Sequence, residues 1–234
     1  MNFEFTPLLT AQAPDVTALV THRGFNACCY AGADVASAAE GRRLIARHFG
    51  VGDDAVFMPR QTHSARVAYA GEDLDGVDAM VTGRRGAVLC INTADCLPLL
   101  LVDTVAGVIG AAHCGWRGTV AGIASRTVER MAAIGADPSR IVAAMGPCIC
   151  ADCFEVGPEV AAFFPAQALV ESPGRRPHVD LGAAVSLQLV ASGLWHESIA
   201  RPMACSMHDS RFHSVRREGR DLSYRTLTAI ILNI

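Results

Sequence analysis

The sequence predicts a single domain of mixed α and β structure, and three observations carry that prediction. The chain has 234 residues, 51% of them apolar and 18% charged, which is ample for a large buried core without a disulfide framework. Several short runs of β-forming residues are apolar on both faces, so each must be covered from both sides, by helices or by a second sheet. Longer segments carry helix signals instead: apolar spacing of three and four, Asp at the start and Gly at the stop.

Residues 34 to 49 read as a helix capped by Asp34 and stopped at Gly50, although Gly41 in its interior costs roughly 1 kcal/mol relative to Ala. Strand-like runs follow at 55 to 58, 78 to 81, 87 to 92, 98 to 102 and 106 to 112, separated by Gly, Asp and Pro. From Gly118 to Ile134 the residues Val120, Ile123, Ala124, Val128 and Met131 repeat with helical spacing, and Gly135 supplies the stop. Residues 141 to 145 read as another buried strand, 165 to 178 as a surface loop, 180 to 194 as a helix capped by Asp180, and LTAIILNI as the closing strand. No repeat, linker or shift in composition divides the chain, so residues 1 to 234 are taken as one domain.

Composition excludes several functions. With 20 Lys and Arg against 23 Asp and Glu, the formal charge is -3, and no basic run offers a track for a phosphate backbone. No nucleic-acid partner is expected. The most apolar stretch, 87 to 112, is interrupted by Asn92, Asp95 and Asp103, whereas a spanning helix needs about 20 nearly unbroken apolar residues. The N-terminus lacks the charged start and apolar run of an export signal, which points to the cytoplasm. Nine irregularly placed Cys in such a chain read as reduced thiols, most of them small buried residues.

The chemistry concentrates where loops meet apolar strands. His63 in RQTHSARV, Cys96 in TADCLPLLL and His113 in AAHCGWRG are two imidazoles and a thiol, a set that binds zinc and leaves its fourth position open. The same Cys96 could be a nucleophile with His113 or His63 as its base, and the residues alone leave both readings open beside that of packed core side chains. Asp95 can orient an imidazole, handle a proton or cap a turn. The glycines around Trp116 and Arg117 lead into a helix, which suits an anion-binding helix start with Arg117 as donor or simply a tight turn. A CxCxxC run at 148 to 153 is a further metal candidate but lacks a partner pair of ligands. No phosphate-binding P-loop and no dinucleotide fingerprint occurs.

Taken in order, QTHSARV, DAMVT, TADCLPLLL, AAHCGWRGTVAGI, GPCICADCFEVG and SVRREG closely resemble the YfiH family, also called the multicopper polyphenol oxidase or laccase-domain family, from about residue 55 to the C-terminus. The resemblance implies an α+β fold, a four-layer α/β/β/α sandwich with mixed sheets and helices outside. It implies a zinc site at His63, Cys96 and His113, with copper as the alternative metal. Cys96, His113 and Asp95 are then the candidate catalytic residues, and Arg42, Arg117 and Arg225 the candidate phosphate ligands. The activities implied are phosphorolysis of purine nucleosides (adenosine, inosine, guanosine, methylthioadenosine) and deamination of adenosine, by a monomer or homodimer. Copper-dependent phenol oxidation and a Cys-His amidase that edits cell-wall precursors are the alternatives. This chain departs from the family pattern in HRGFNACCYAGADVAS at residues 22 to 37, in Gly41 where an Asn precedes Arg42, and in the late position of Arg225.

Overall fold

The computed structural model describes residues 3–9, 13, 15–28, 35–170, 176–219 and 223–233. The expected Asp34 cap lies outside them, as does part of the 165 to 178 loop. Two strands for which the sequence gives no expectation, β1 (Phe5–Leu8) at a sheet edge and β2 (Val16–Thr21) beside it, precede helix α1 (Val35–Phe49). Then come β3 (Val56–Phe57), β4 (Val67–Tyr69), β5 (Ala79–Thr82), β6 (Val88–Thr93), β7 (Leu97–Asp103) and β8 (Val108–Cys114). Helices α2 (Trp116–Val120) and α3 (Ile123–Ala132) lead to β9 (Val142–Met145), α4 (Pro158–Ala161), β10 (Leu169–Val170), β11 (His178–Val179), α5 (Leu181–Ala191), α6 (Val215–Glu218) and β12 (Thr226–Leu232).

One sheet has the order β1-β2-β12-β6-β3 and the other β4-β5-β8-β7-β9. Each is antiparallel apart from one parallel pair, β3 with β6 and β4 with β5. Side-chain alternation along the strands divides the doubly apolar runs between layers. In β12, Leu227, Ala229 and Ile231 pack with Ile45 and Ala46 of α1, whereas Ile230 and Leu232 face the space between the sheets. In β7, Leu97, Leu99 and Leu101 join Ile123, Val128 and Met131 of α3 and Val185 and Leu189 of α5, whereas Leu100 and Val102 face inward. The three apolar clusters are the three interfaces of the expected α/β/β/α sandwich. Among the described residues no helix is long and apolar enough to cross a membrane.

Two expectations need correction. The helix expected from 118 to 134 is two helices, because Gly122 sits at φ 81° in the left-handed region, where it ends α2 and starts α3. The expected surface loop at 165 to 178 contains β10 and leads into β11, which pair with each other. Gly41 finds its reason in α1 as well. A Cβ there would lie 1.8 Å from the carbonyl oxygen of Asn26, so the helix gives up propensity to let another backbone segment cross it.

Asp103, fully buried at the end of β7, ties three segments together. Its carboxylate accepts the N–H groups of Val105, Ala106 and Asp137 at 2.8 to 3.1 Å and the Arg140 guanidinium at 2.9 Å. Burial raises its pKa, but the Arg140 and backbone hydrogen bonds outweigh burial and leave it lowered.

Gly41→Ala should therefore destabilise the fold by about 1–3 kcal/mol, the cost of overpacking, although helix propensity alone would predict a gain of about 1 kcal/mol; urea denaturation decides the sign. Since the folded chain holds the Asp103 proton more weakly than the unfolded one, its contribution is complete above about pH 4 and disappears as pH falls through the lowered folded pKa. Asp103→Asn should flatten that part of the acid-denaturation curve while lowering stability at neutral pH.

Candidate functional site

The pairing of β5, β7 and β8 sets two of the three ligand-type residues. Ala79 pairs with Ala112 and Leu97 with Cys114, so one step further along each ladder Asp78 faces His113 and Cys96 faces Gly115. His113 has the same parity as Ile109 and Ala111, and Cys96 the same parity as Leu100 and Val102, all four of which face the space between the sheets. The imidazole and the thiol thus emerge from one face at one end of the sheet. His63 reaches them from the loop before β4, with its backbone at φ 61°.

The result is compact. One donor atom from each of His63, Cys96 and His113 lies within 4.8 Å of the others, Cys96 Sγ is 3.8 Å from His63 Nε2, and the two rings meet nearly edge to face at 4.7 Å. Gly115 makes the space for this approach, since a Cβ there would lie 2.7 Å from His63 Cδ2 and 3.2 Å from Cys96 Sγ. Gly118 does the same for the Ser64 carbonyl, 2.7 Å from where its Cβ would be.

Asp78, absent from the residues that the sequence singled out, holds the arrangement. Its fully buried carboxylate accepts the backbone N–H groups of Thr62, His63 and Ser64 at 3.1, 3.0 and 2.7 Å and the Ser64 hydroxyl at 2.7 Å. It also lies 2.7 Å from His113 Nδ1. One carboxylate therefore fixes the loop that carries one imidazole and the ring of the other, and a proton on Nδ1 leaves His113 Nε2 as the ligand atom. Burial would raise the Asp78 pKa, but the His113 and Ser64 hydrogen bonds and the His113 charge hold it at about 2. Burial also opposes charge at the other two groups, yet attraction between the thiolate and the imidazoles leaves Cys96 at about 6, and the thiolate with Asp78 brings His113 to about 9.

The trio opens onto a cavity of about 620 Å³ lined also by Gln61, Asn92, Asp95, Phe154, Arg216 and Arg225. Asn92 is 3% exposed, and its backbone exchanges hydrogen bonds of 2.8 and 2.9 Å with the Gln61 amide. Among the described residues neither atom of its own side-chain amide has a partner, which is costly for a buried donor and acceptor unless a ligand supplies one.

The expected residues fare unequally. Arg225 lines the cavity, whereas Arg42 and Arg117 do not. The Arg42 guanidinium donates to the carbonyls of Asp53 and Val56, in a separate depression with Met58 and Pro59. Arg117 is exposed and lies over the Trp116 ring at 4.2 Å. Asp95 borders the cavity at φ 85°, but its carboxylate is taken by the Ser206 hydroxyl and the Arg216 N–H, both at 2.7 Å. Orienting an imidazole falls to Asp78. The sequence signals were an acid heading the apolar run AMV for Asp78, a polar break in an apolar stretch for Asn92 and the SVRREG motif for Arg216, none of which says what the side chain meets.

A family model described as multi-copper polyphenol oxidoreductase laccase matches residues 16–233. The chain belongs to this laccase family. A relative named adenosine deaminase RL5, from an unknown prokaryotic organism, is 43% identical over 89% of this chain and 87% of its own length. A purine nucleoside phosphorylase of Deinococcus radiodurans is 42% identical over 91% of this chain and 88% of its own. In fold, the hypothetical protein YfiH of Bacillus licheniformis superposes with a TM-score of 0.90 at 24% identity, covering 98% of this chain and 99% of that one. YlmD of Geobacillus stearothermophilus gives 0.88 at 26% identity over the full length of both. The laccase-family description implies a metal, and the donor set fits one: two imidazoles and a thiol of lowered pKa, converging where Gly115 leaves no Cβ in the way.

Asp78→Asn exchanges an acceptor of five hydrogen bonds for a group that must donate two. Metal affinity should fall about 10- to 100-fold, the usual consequence of losing an outer-shell carboxylate, as read by chelator competition on protein whose circular dichroism confirms the fold.

Proposed function

We propose that this laccase-family chain is a zinc-dependent purine nucleoside phosphorylase that also deaminates adenosine. The observation that carries this reading is the cavity itself. A metal-ligand trio, an unpartnered amide and two arginines converge on about 620 Å³, a volume in the ordinary range for small-molecule sites. Relatives at 42–43% identity are named for these two activities.

His63, Cys96 and His113 would hold the metal. Bound there, zinc would supply Lewis acidity, bringing the pKa of water toward about 7. Asn92 offers one donor and one acceptor in a plane, the pattern that matches a purine edge, and Phe154 offers the base an apolar face. Arg225 presents a guanidinium fork for phosphate, and Arg216 lines the wall beside it. Arg216 is placed by its backbone bond to Asp95 and by its donation to the carbonyls of Cys153 and Glu155. In phosphorolysis the phosphate oxygen attacks ribose C1′, the C1′–N9 bond breaks and the purine leaves with the electron pair.

One observation favours a second reading. Cys96, His113 and Asp78 form a thiol, imidazole and carboxylate series like that of a Cys-His hydrolase, so a Cys96 nucleophile acting on an amide is the alternative.

Inosine with phosphate should give hypoxanthine and ribose 1-phosphate, and omission of phosphate should stop that reaction while adenosine deamination continues. Chromatography of both reactions tests this, and a substrate-derived adduct on Cys96 by intact mass, with indifference to phosphate, would replace it with the amidase reading. Arg225→Ala should raise the KM for phosphate about 10- to 100-fold, from the roughly 1.5–3 kcal/mol of a charged hydrogen bond. Arg117→Ala, outside the cavity, should leave that KM unchanged within about twofold.

A further inference from the structure

We propose that Cys150, Cys153, Cys205 and His208 form a second metal site, a closed structural zinc centre apart from the catalytic trio. In the sequence the CxCxxC run offers ligands on one side only, and the fold supplies the other side. An isolated parallel bridge joins Cys148 to Cys205. With it, the Cys148 N–H donates to the Ala204 carbonyl at 3.2 Å and the Ser206 N–H to the Cys148 carbonyl at 2.9 Å. The short turn Ala151–Cys153 folds the second thiol back toward the first. Two patterns, Cys-x-x-Cys and Cys-x-x-His, thereby face one another, and each spacing suits a pair of ligands on one ion.

One ligand atom from each of the four residues lies within 4.8 Å of all the others. Cys153 Sγ is 3.2 Å from His208 Nε2, and the Cys150 N–H points at Cys205 Sγ at 3.4 Å, a contact of the kind that favours a thiolate. A tetrahedral zinc with bonds of about 2.0–2.3 Å holds its ligand atoms about 3.3–3.8 Å apart. Contraction by at most about an ångström completes such a shell. Cys148 is excluded, since it is buried in the apolar cluster with Met145 and Ile149.

Three thiolates and one imidazole fill four positions and leave none for substrate, which marks a structural centre rather than a catalytic one. On binding, the ion replaces the protons of the thiols, which pass to solvent. The site would clip segment 148 to 153 to segment 205 to 208, and both support the cavity wall. The Ile149 N–H donates to the Asp95 carbonyl at 2.9 Å, the Ser206 hydroxyl to the Asp95 carboxylate, and Arg216 to the Cys153 carbonyl. Arg217 meets the carbonyls of Ser206 and Met207 at 2.7 and 3.0 Å.

Metal analysis of the full chain, purified under reducing conditions and equilibrated with zinc, tests the assignment. Cys150→Ser with Cys205→Ser should lose one equivalent relative to the unsubstituted protein. The same pair introduced into Cys96→Ala should also lose one equivalent, so the result does not depend on the fate of the first site. Retention of the full zinc content by the double variant would overturn the proposal. Should that variant fail to fold, the unsubstituted chain decides instead. Zinc should slow iodoacetamide labelling of Cys150, Cys153 and Cys205 at least tenfold, mapped by peptide mass spectrometry. Equal labelling with and without zinc, or a Cys150–Cys153 disulfide that reductant and zinc together do not convert to a metal-bound form, would refute it.

Discussion

A single buried carboxylate, Asp78, is the constraint on which the site depends. A charge with no exposure is expensive unless it is paired and hydrogen-bonded, and here five donors from two segments converge on it. Three of these are successive backbone N–H groups, so the loop carrying His63 cannot shift without leaving the charge unsatisfied. The fifth is His113, which ties the same charge to β8. The cost of burying Asp78 is thus offset only in the conformation that aims both imidazoles at Cys96.

The sheet provides the rest of the geometry by the rule that builds its layers. Alternation along β7 and β8 sends one set of side chains to α3 and α5 and the other to the space between the sheets. Cys96 and His113 lie just where the inward set runs out of apolar residues. Polar side chains at that point avoid the dry interior yet keep the rigidity of paired strands, a better support than a loop for a site that needs fixed geometry. The glycines after His113 serve the same end by making room, and Gly122 then turns the chain from α2 into α3.

The far side of the cavity is built differently. The stretch from 204 to 219 has only one short helix and is held by polar ties: Arg217 to a row of carbonyls, Ser206 and Arg216 to Asp95. Phe212 is its one fully buried apolar anchor, and a metal clip to segment 148 to 153 would add what packing does not. The same preference for backbone carbonyls explains why Arg42 is no cavity cation: its guanidinium is committed to closing the turn after α1.

The sequence alone required a covering on both faces of its doubly apolar runs, and the resemblance to the family supplied the four-layer arrangement. It also picked out His63, Cys96 and His113 as candidate ligands, polar residues placed where loops meet such runs. It missed β1 and β4, whose short, half-exposed patterns carry little periodic signal, and β2, buried at all but one position; it merged α2 with α3 because apolar spacing continues across Gly122. Which arginines face the cavity, the unpartnered Asn92 amide, and the meeting of Cys150 and Cys153 with Cys205 and His208 were decided only by tertiary structure. Parity along a strand is written locally in the chain, whereas the register between strands and the docking of distant loops arise from contacts between residues far apart in sequence, which no local pattern records.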